Sequence, residues 1–166
     1  MFDAIILWLH ILGAVVFVGP QVFLAAVAMP ALRTVGDPKL RQDLTRQITR
    51  GFGVLGGIAL GLVILTGFYN FAQAQDDGLM DFKRYFMVLN VKMTLAIVVV
   101  LLTAVHGFVF GRRLQELQER NAPEAEIAQV RRYSMMTSMA TLGLSLVILL
   151  LAALLASSWS FEGGLR

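Results

Sequence analysis

Val88–Gly111, VLNVKMTLAIVVVLLTAVHGFVFG, carries a single charge, Lys92, in a run that otherwise reads as hydrocarbon. A helix rising 1.5 Å per residue crosses the ~30 Å core of a bilayer in about 20 apolar residues, so this stretch is long enough to span one. An ammonium at mid-membrane costs roughly 3 kcal/mol or more and is usually retained for a task. Lys92 must reach the interface, find an anion, or lose its proton and act as a neutral amine.

The rest of the chain is of the same kind. Of 166 residues 57% are hydrophobic and 15% charged, and mean hydropathy is +0.72. A soluble domain of this size carries far more surface charge. Four stretches lack Asp, Glu, Lys and Arg: Ala4–Leu32, Gly51–Gln75, Met93–Gly111 and Tyr133–Phe161. They predict an all-α integral membrane protein, an up-down bundle of four transmembrane helices in one domain, with spans near 4–32, 48–75, 84–112 and 132–161. The first stretch has no basic leader and is too long for a signal-peptide core. Cysteine is absent, so disulfides, thiolate metal sites and covalently attached haem are excluded.

The charges predict an orientation. Ten of the fourteen basic residues fall in two loops: Arg33, Lys39, Arg41, Arg46 and Arg50, then Arg112, Arg113, Arg120, Arg131 and Arg132. By the positive-inside rule that face is cytoplasmic, both termini lie outside, and the expected location is a bacterial cytoplasmic membrane. The net charge of +3 follows from this bias and gives no nucleic-acid site. Asp37-Pro38 reads as a cap and first turn, so the second helix starts well before its span. The third helix is expected to continue through LQELQER to Asn121, with Glu116 and Arg120 paired at i,i+4. Pro123 restarts the chain as a helix, with Glu124 and Glu126 in its first turn. Gly19-Pro20 is expected to kink the first helix, because Pro20 has no N–H for the Val16 carbonyl.

Gly51-Phe-Gly-Val-Leu-Gly56 spells GxGxxG, but it follows no strand and opens a membrane helix, so a nucleotide reading fails. Gly53, Gly57 and Gly61 form a small-xxx-small stripe. It serves close helix packing, including a homo-oligomer through the second helix, or it leaves room for a flat cofactor.

Site chemistry falls to His10, Lys92, His106 and the methionines. The first and third helices run the same way. His10 lies seven residues after Asp3 and Lys92 eight after Arg84, hence ~10 and ~12 Å below the outer boundary. His106 is ~9 Å from the inner boundary, too far from His10 to share a metal. His10 and a deprotonated Lys92 are a candidate axial pair for a b-type haem between helices 1 and 3 in the outer half of the membrane. The alternative has Lys92 reaching toward Asp81 and His10 bonded to a backbone carbonyl. Met135, Met136 and Met139 lie at the depth of His106. His106, Met136 and Met139 with His10 outside would suit copper, and a copper translocator or copper-resistance protein is the competing reading. A non-catalytic subunit of a membrane complex is a third. No nucleophile–base pair occurs at helical spacing, so no catalytic residue is assigned.

Two segments carry a resemblance. The first helix, WLHILGAVVFVGPQVFLAAVAMPAL, and the third, VKMTLAIVVVLLTAVHGFVFGRRL, resemble the CopD-like and HemJ-like families of small bacterial membrane proteins. The likeness lies in a leading histidine before a glycine-containing apolar stretch, and a lysine followed one helix-length later by a histidine and a basic end. The resemblance implies copper handling in the first case. In the second it implies haem b and protoporphyrinogen oxidation, with His10 matching the haem ligand and Lys92 a functional lysine. A quinone, a porphyrin or another membrane redox molecule would be the partner. The chain departs from the HemJ pattern: it has only Gly19-Pro20-Gln21 where that family has a polar stretch with proline and arginine, and its Lys-to-His spacing is longer. The oxidase activity is therefore not carried over; haem at His10 and Lys92 is.

Overall fold

A computed structural model describes residues 1–120 and 122–161, which are helical almost throughout and include no strand. Four helices are long and apolar enough to cross a membrane: Phe2–Arg33, Pro38–Asp76, Lys83–Glu119 and Glu124–Ala156. They coincide with the four charge-poor stretches. Large apolar side chains such as Ile58, Leu65 and Phe108 are about two-thirds exposed, which suits contact with lipid tails. The chain divides into two compact units, Met1–Gly78 and Leu79–Arg166, each a helical hairpin.

In the first unit α1 (Phe2–Phe23) continues through a π-helical segment, Leu24–Ala28, into α2 (Met29–Arg33). Helical bonding carries on through Pro20 to Phe23, so the irregularity expected at Gly19-Pro20 appears later. Its cause is Pro30, whose ring would strike the Ala26 carbonyl in a regular turn. The wider turn, in which Met29 N–H reaches Leu24 O, relieves this. α3 (Pro38–Asp76) begins as the sequence predicts: Asp37 accepts from Lys39 N at 2.8 Å and Leu40 N at 3.3 Å, and Pro38 occupies the first turn. Asp37→Ala is expected to cost about 1 kcal/mol, seen as a lower melting temperature in detergent. α1 packs on α3 where Gly13 meets Ala59 and Val63; past α3, Gly78 takes a left-handed φ of 68° that closes the unit.

In the second unit α4 (Lys83–Ala104) passes through a second π-helical segment, Val105–Phe110, into α5 (Gly111–Glu119). α6 (Glu124–Ala156) starts after Pro123 with Glu124 and Glu126 in its first turn, as expected. The helix predicted to reach Asn121 stops at Glu119, and Asn121 lies outside the described residues. Glu116 and Arg120 do not pair with each other. Glu116 pairs with Arg113 at 3.4 Å, and Arg120 turns across the connection to Glu126, because the chain leaves the helix at Arg120. α6 also stops five residues short of Phe161. Ser157 is extended, and the buried Ser160 hydroxyl lies on the Leu155 and Ser157 carbonyls, satisfying the helix end. The turn Ser158–Ser160 brings Phe161 against Phe82 and Tyr85, and Trp159 under Arg84. Glu162 and Arg166, beyond the last span, lie outside the described residues.

Hydroxyls inside the spans bond back to their own helix. Thr66 donates to Leu62 O, Thr94 to Asn90 O, Thr103 to Val99 O, Thr141 to Thr137 O and Ser145 to Thr141 O, at 2.6–2.9 Å. Asn90 Nδ2 similarly reaches Phe86 O. A polar side chain satisfied one turn back adds no unpaired group to the hydrocarbon.

Candidate functional site

The first hairpin holds His10 against α3. Its Nδ1 lies 3.0 Å from Thr66 Oγ1, and the Thr66 hydroxyl lies 2.6 Å from Leu62 O. A hydroxyl has one proton, and the Leu62 carbonyl can only accept. Thr66 therefore donates to Leu62 and accepts from His10, so Nδ1 carries the ring proton and the neutral ring has its lone pair on Nε2. Gly67 lies close beside it: a Cβ there would stand 3.2 Å from His10 Cε1, so the ring would have to shift by a few tenths of an ångström. The histidine is thus fixed in tautomer by a threonine and in position by a missing side chain. Thr66 links His10 to a backbone carbonyl, that of Leu62.

Along the same face of α3, Asn70 follows Thr66 by one turn, and its Nδ2 is buried without a hydrogen-bond partner among the described residues. Nearer the end, Tyr69 OH donates to Asp3 Oδ1 at 2.6 Å and Gln73 Nε2 does so at 3.3 Å, with Phe2 edge-on to Tyr69. Thr66, Asn70 and Gln73 repeat at i, i+4 and i+7 in an apolar helix. That spacing was the available sequence signal for this seam, and a search restricted to histidine, lysine, methionine and glycine misses it.

The glycine stripe is not part of this site. Gly61, Gly57 and Gly53 precede Thr66 by about 7.5, 13.5 and 19.5 Å along the axis and lie on the opposite side of the helix. A Cβ at any of the three would meet nothing within 4 Å. The close approaches belong instead to Gly13, 2.8 Å from Val63 Cγ2 and 3.3 Å from Ala59 O, and to Gly67.

His10 belongs to the first unit, and Lys92 and His106 to the second. Lys92 is half-buried on α4 and makes no ion pair or hydrogen bond with a described residue, Asp81 included. His106 sits in the π-helical segment, where its carbonyl accepts from Gly111 N–H. Its Nδ1 lies 3.3 Å from Ser138 Oγ and 3.5 Å from Ser134 Oγ. The sequence places the right part of α6 at this level, but the serines face the ring. Met135, Met136 and Met139 are 53, 56 and 49% exposed. Among the described residues no three His, Cys, Asp or Glu side chains gather as a metal site.

No curated protein and no solved structure matches this sequence. A family model described as "Predicted membrane protein (DUF2214)" matches residues 2–158, nearly the whole chain and all four long apolar helices. The chain belongs to the DUF2214 family of predicted membrane proteins.

Proposed function

We propose that this multi-pass membrane protein carries a b-type haem with His10 Nε2 as an axial ligand, and serves membrane electron transfer or the oxidation of a hydrophobic substrate. The observation that carries the reading is the chain His10 Nδ1–H to Thr66 Oγ1–H to Leu62 O. A ligating histidine characteristically anchors its second nitrogen in this way, which sets the tautomer and raises the basicity of the ligand. Gly67 supports it by holding the ring clear of steric conflict, and the resemblance of the first helix to haem-binding families supports the choice of metal group. A haem there would supply one-electron chemistry; the chain's part is to present the nitrogen and exclude water. Copper is the weaker reading, because the methionines at the level of His106, Met135, Met136 and Met139, are half exposed.

The test is a dithionite-reduced minus oxidised spectrum of the detergent-purified protein, with iron and copper measured on the same sample. A Soret shift, a sharp α-band and iron near one per chain support the proposal; a colourless protein refutes it. Lys92→Met in the same assay reports whether that lysine has any part in the spectrum.

The orientation with both termini outside, in a bacterial cytoplasmic membrane, rests on the two basic connections. The natural absence of cysteine makes it directly testable. Single cysteines at Asp76 and at Gln118 should label from opposite sides of intact cells with an impermeant maleimide, the first from outside. Labelling of Gln118→Cys from outside would reverse the assignment.

A further inference from the structure

The side of α3 turned away from α1 combines an arginine pair with a row of glycines. Arg46 and Arg50 line an open cavity of about 460 Å³ with Asp43, Gln47, Gly51 and Val54. Both arginines are exposed, and neither forms an ion pair with a described residue. At 100° per residue, Arg46, Arg50, Gly53, Gly57 and Gly61 fall within about 80° of one another, so the arginine pair stands at the head of the glycine stripe. That stripe is open along its length. The face is therefore cationic where the helix enters the membrane and a smooth apolar trough beyond it.

We propose that this face binds an anionic phospholipid, with the phosphate on Arg46 and Arg50 and an acyl chain along Gly53, Gly57 and Gly61. Charge decides the occupant. Copies of one chain insert in the same direction, so a dimer across the stripe would set each arginine pair against its own copy. A phospholipid reverses this: its phosphate suits the planar guanidinium groups, and its tail suits a helix face without side chains. Basic clusters at the cytoplasmic edge of membrane helices attract such headgroups generally; here the trough adds a place for the chain.

The test uses the full-length protein in detergent, titrated with phosphatidylglycerol or phosphatidylcholine of identical chains and followed by native mass spectrometry and thermal melting. Phosphatidylglycerol should be retained at least about tenfold more tightly, from two charge-assisted contacts. Arg46→Gln/Arg50→Gln should remove that preference while leaving phosphatidylcholine binding unchanged. Gly57→Leu, whose Cβ meets nothing within 4 Å, should weaken retention by filling the trough, with a melting transition that is not lowered in the absence of lipid as its folding control. Glycerol phosphate, which has the headgroup charge but no chain, should not compete. Equal retention of the two lipids, a preference that survives the double arginine variant, or competition by glycerol phosphate would overturn the proposal. So would a stable dimer cross-linked through Gly57→Cys, which would give the face to a second copy.

Discussion

His10→Ala is expected to abolish the Soret and α-bands of the purified protein while leaving its helical circular dichroism and membrane insertion intact. Alanine removes the nitrogen, and Thr66, the side chain bonded to the ring, leaves only a hydroxyl in its place. An unchanged spectrum would end the haem proposal. Thr66→Val is the informative companion. It keeps the shape of the side chain and removes the acceptor that holds the proton on Nδ1, so the ring is no longer committed to the ligating tautomer. Loss of such an anchor lowers metal affinity by about 10–100-fold, so partial haem loss and a shifted reduction midpoint are expected. Gly67→Ala presses a methyl to within 3.2 Å of His10 Cε1 and should perturb the spectrum without deleting a ligand. A structural histidine would lower stability in all three variants and change no absorbance.

The second large effect is on stability, and it separates glycines that look alike in sequence. Gly13→Leu should lower the stability of the first hairpin by about 1–3 kcal/mol, the range for overpacking a tight contact. Its Cβ would stand 2.8 Å from Val63 Cγ2, on a β-branched side chain with little freedom to turn, and 3.3 Å from a backbone oxygen. Gly57→Ala should do the reverse and stabilise by about 0.5–1 kcal/mol, because it relieves the helix-interior cost of glycine and touches nothing. Thermal melts in one detergent compare the two directly. Destabilisation by Gly57→Ala would mean that the stripe packs against protein.

These glycines mark the boundary of what the sequence makes legible. Charge-free length alone locates the four long helices, and Asp37-Pro38 and Pro123 locate two of their starts, because those signals act along the chain. Depth is legible too: counting residues from the boundary charges brings α6 to His106 at the right level. Azimuth is not. Ser134 and Ser138, one turn apart, meet the ring, while Met136 and Met139 occupy other faces of the same turns. Likewise GxxxGxxxG is the familiar packing signal, yet α1 packs on the face bearing Ala59, Val63 and Thr66. An apolar helix in lipid has no polar side to say which way it turns, so a one-dimensional pattern fixes height and leaves rotation to contacts far away in sequence. Thr66 and Asn70 differ: their i, i+4 spacing in an apolar helix is legible, and a search limited to ligand-type residues passes over it.

The back-bonded hydroxyls bear on biogenesis. As α4 enters the membrane, Asn90, Thr94 and Thr103 can each close a bond one turn back as soon as that turn forms, with no help from another helix. The translocation machinery then meets a segment whose amide and hydroxyls are already masked; His106 finds its hydroxyls only when α6 arrives, and Lys92 is the single charge in Val88–Gly111 for which insertion must find a solution. The lysine that decides the reading of this stretch is also its one charged obstacle to partitioning.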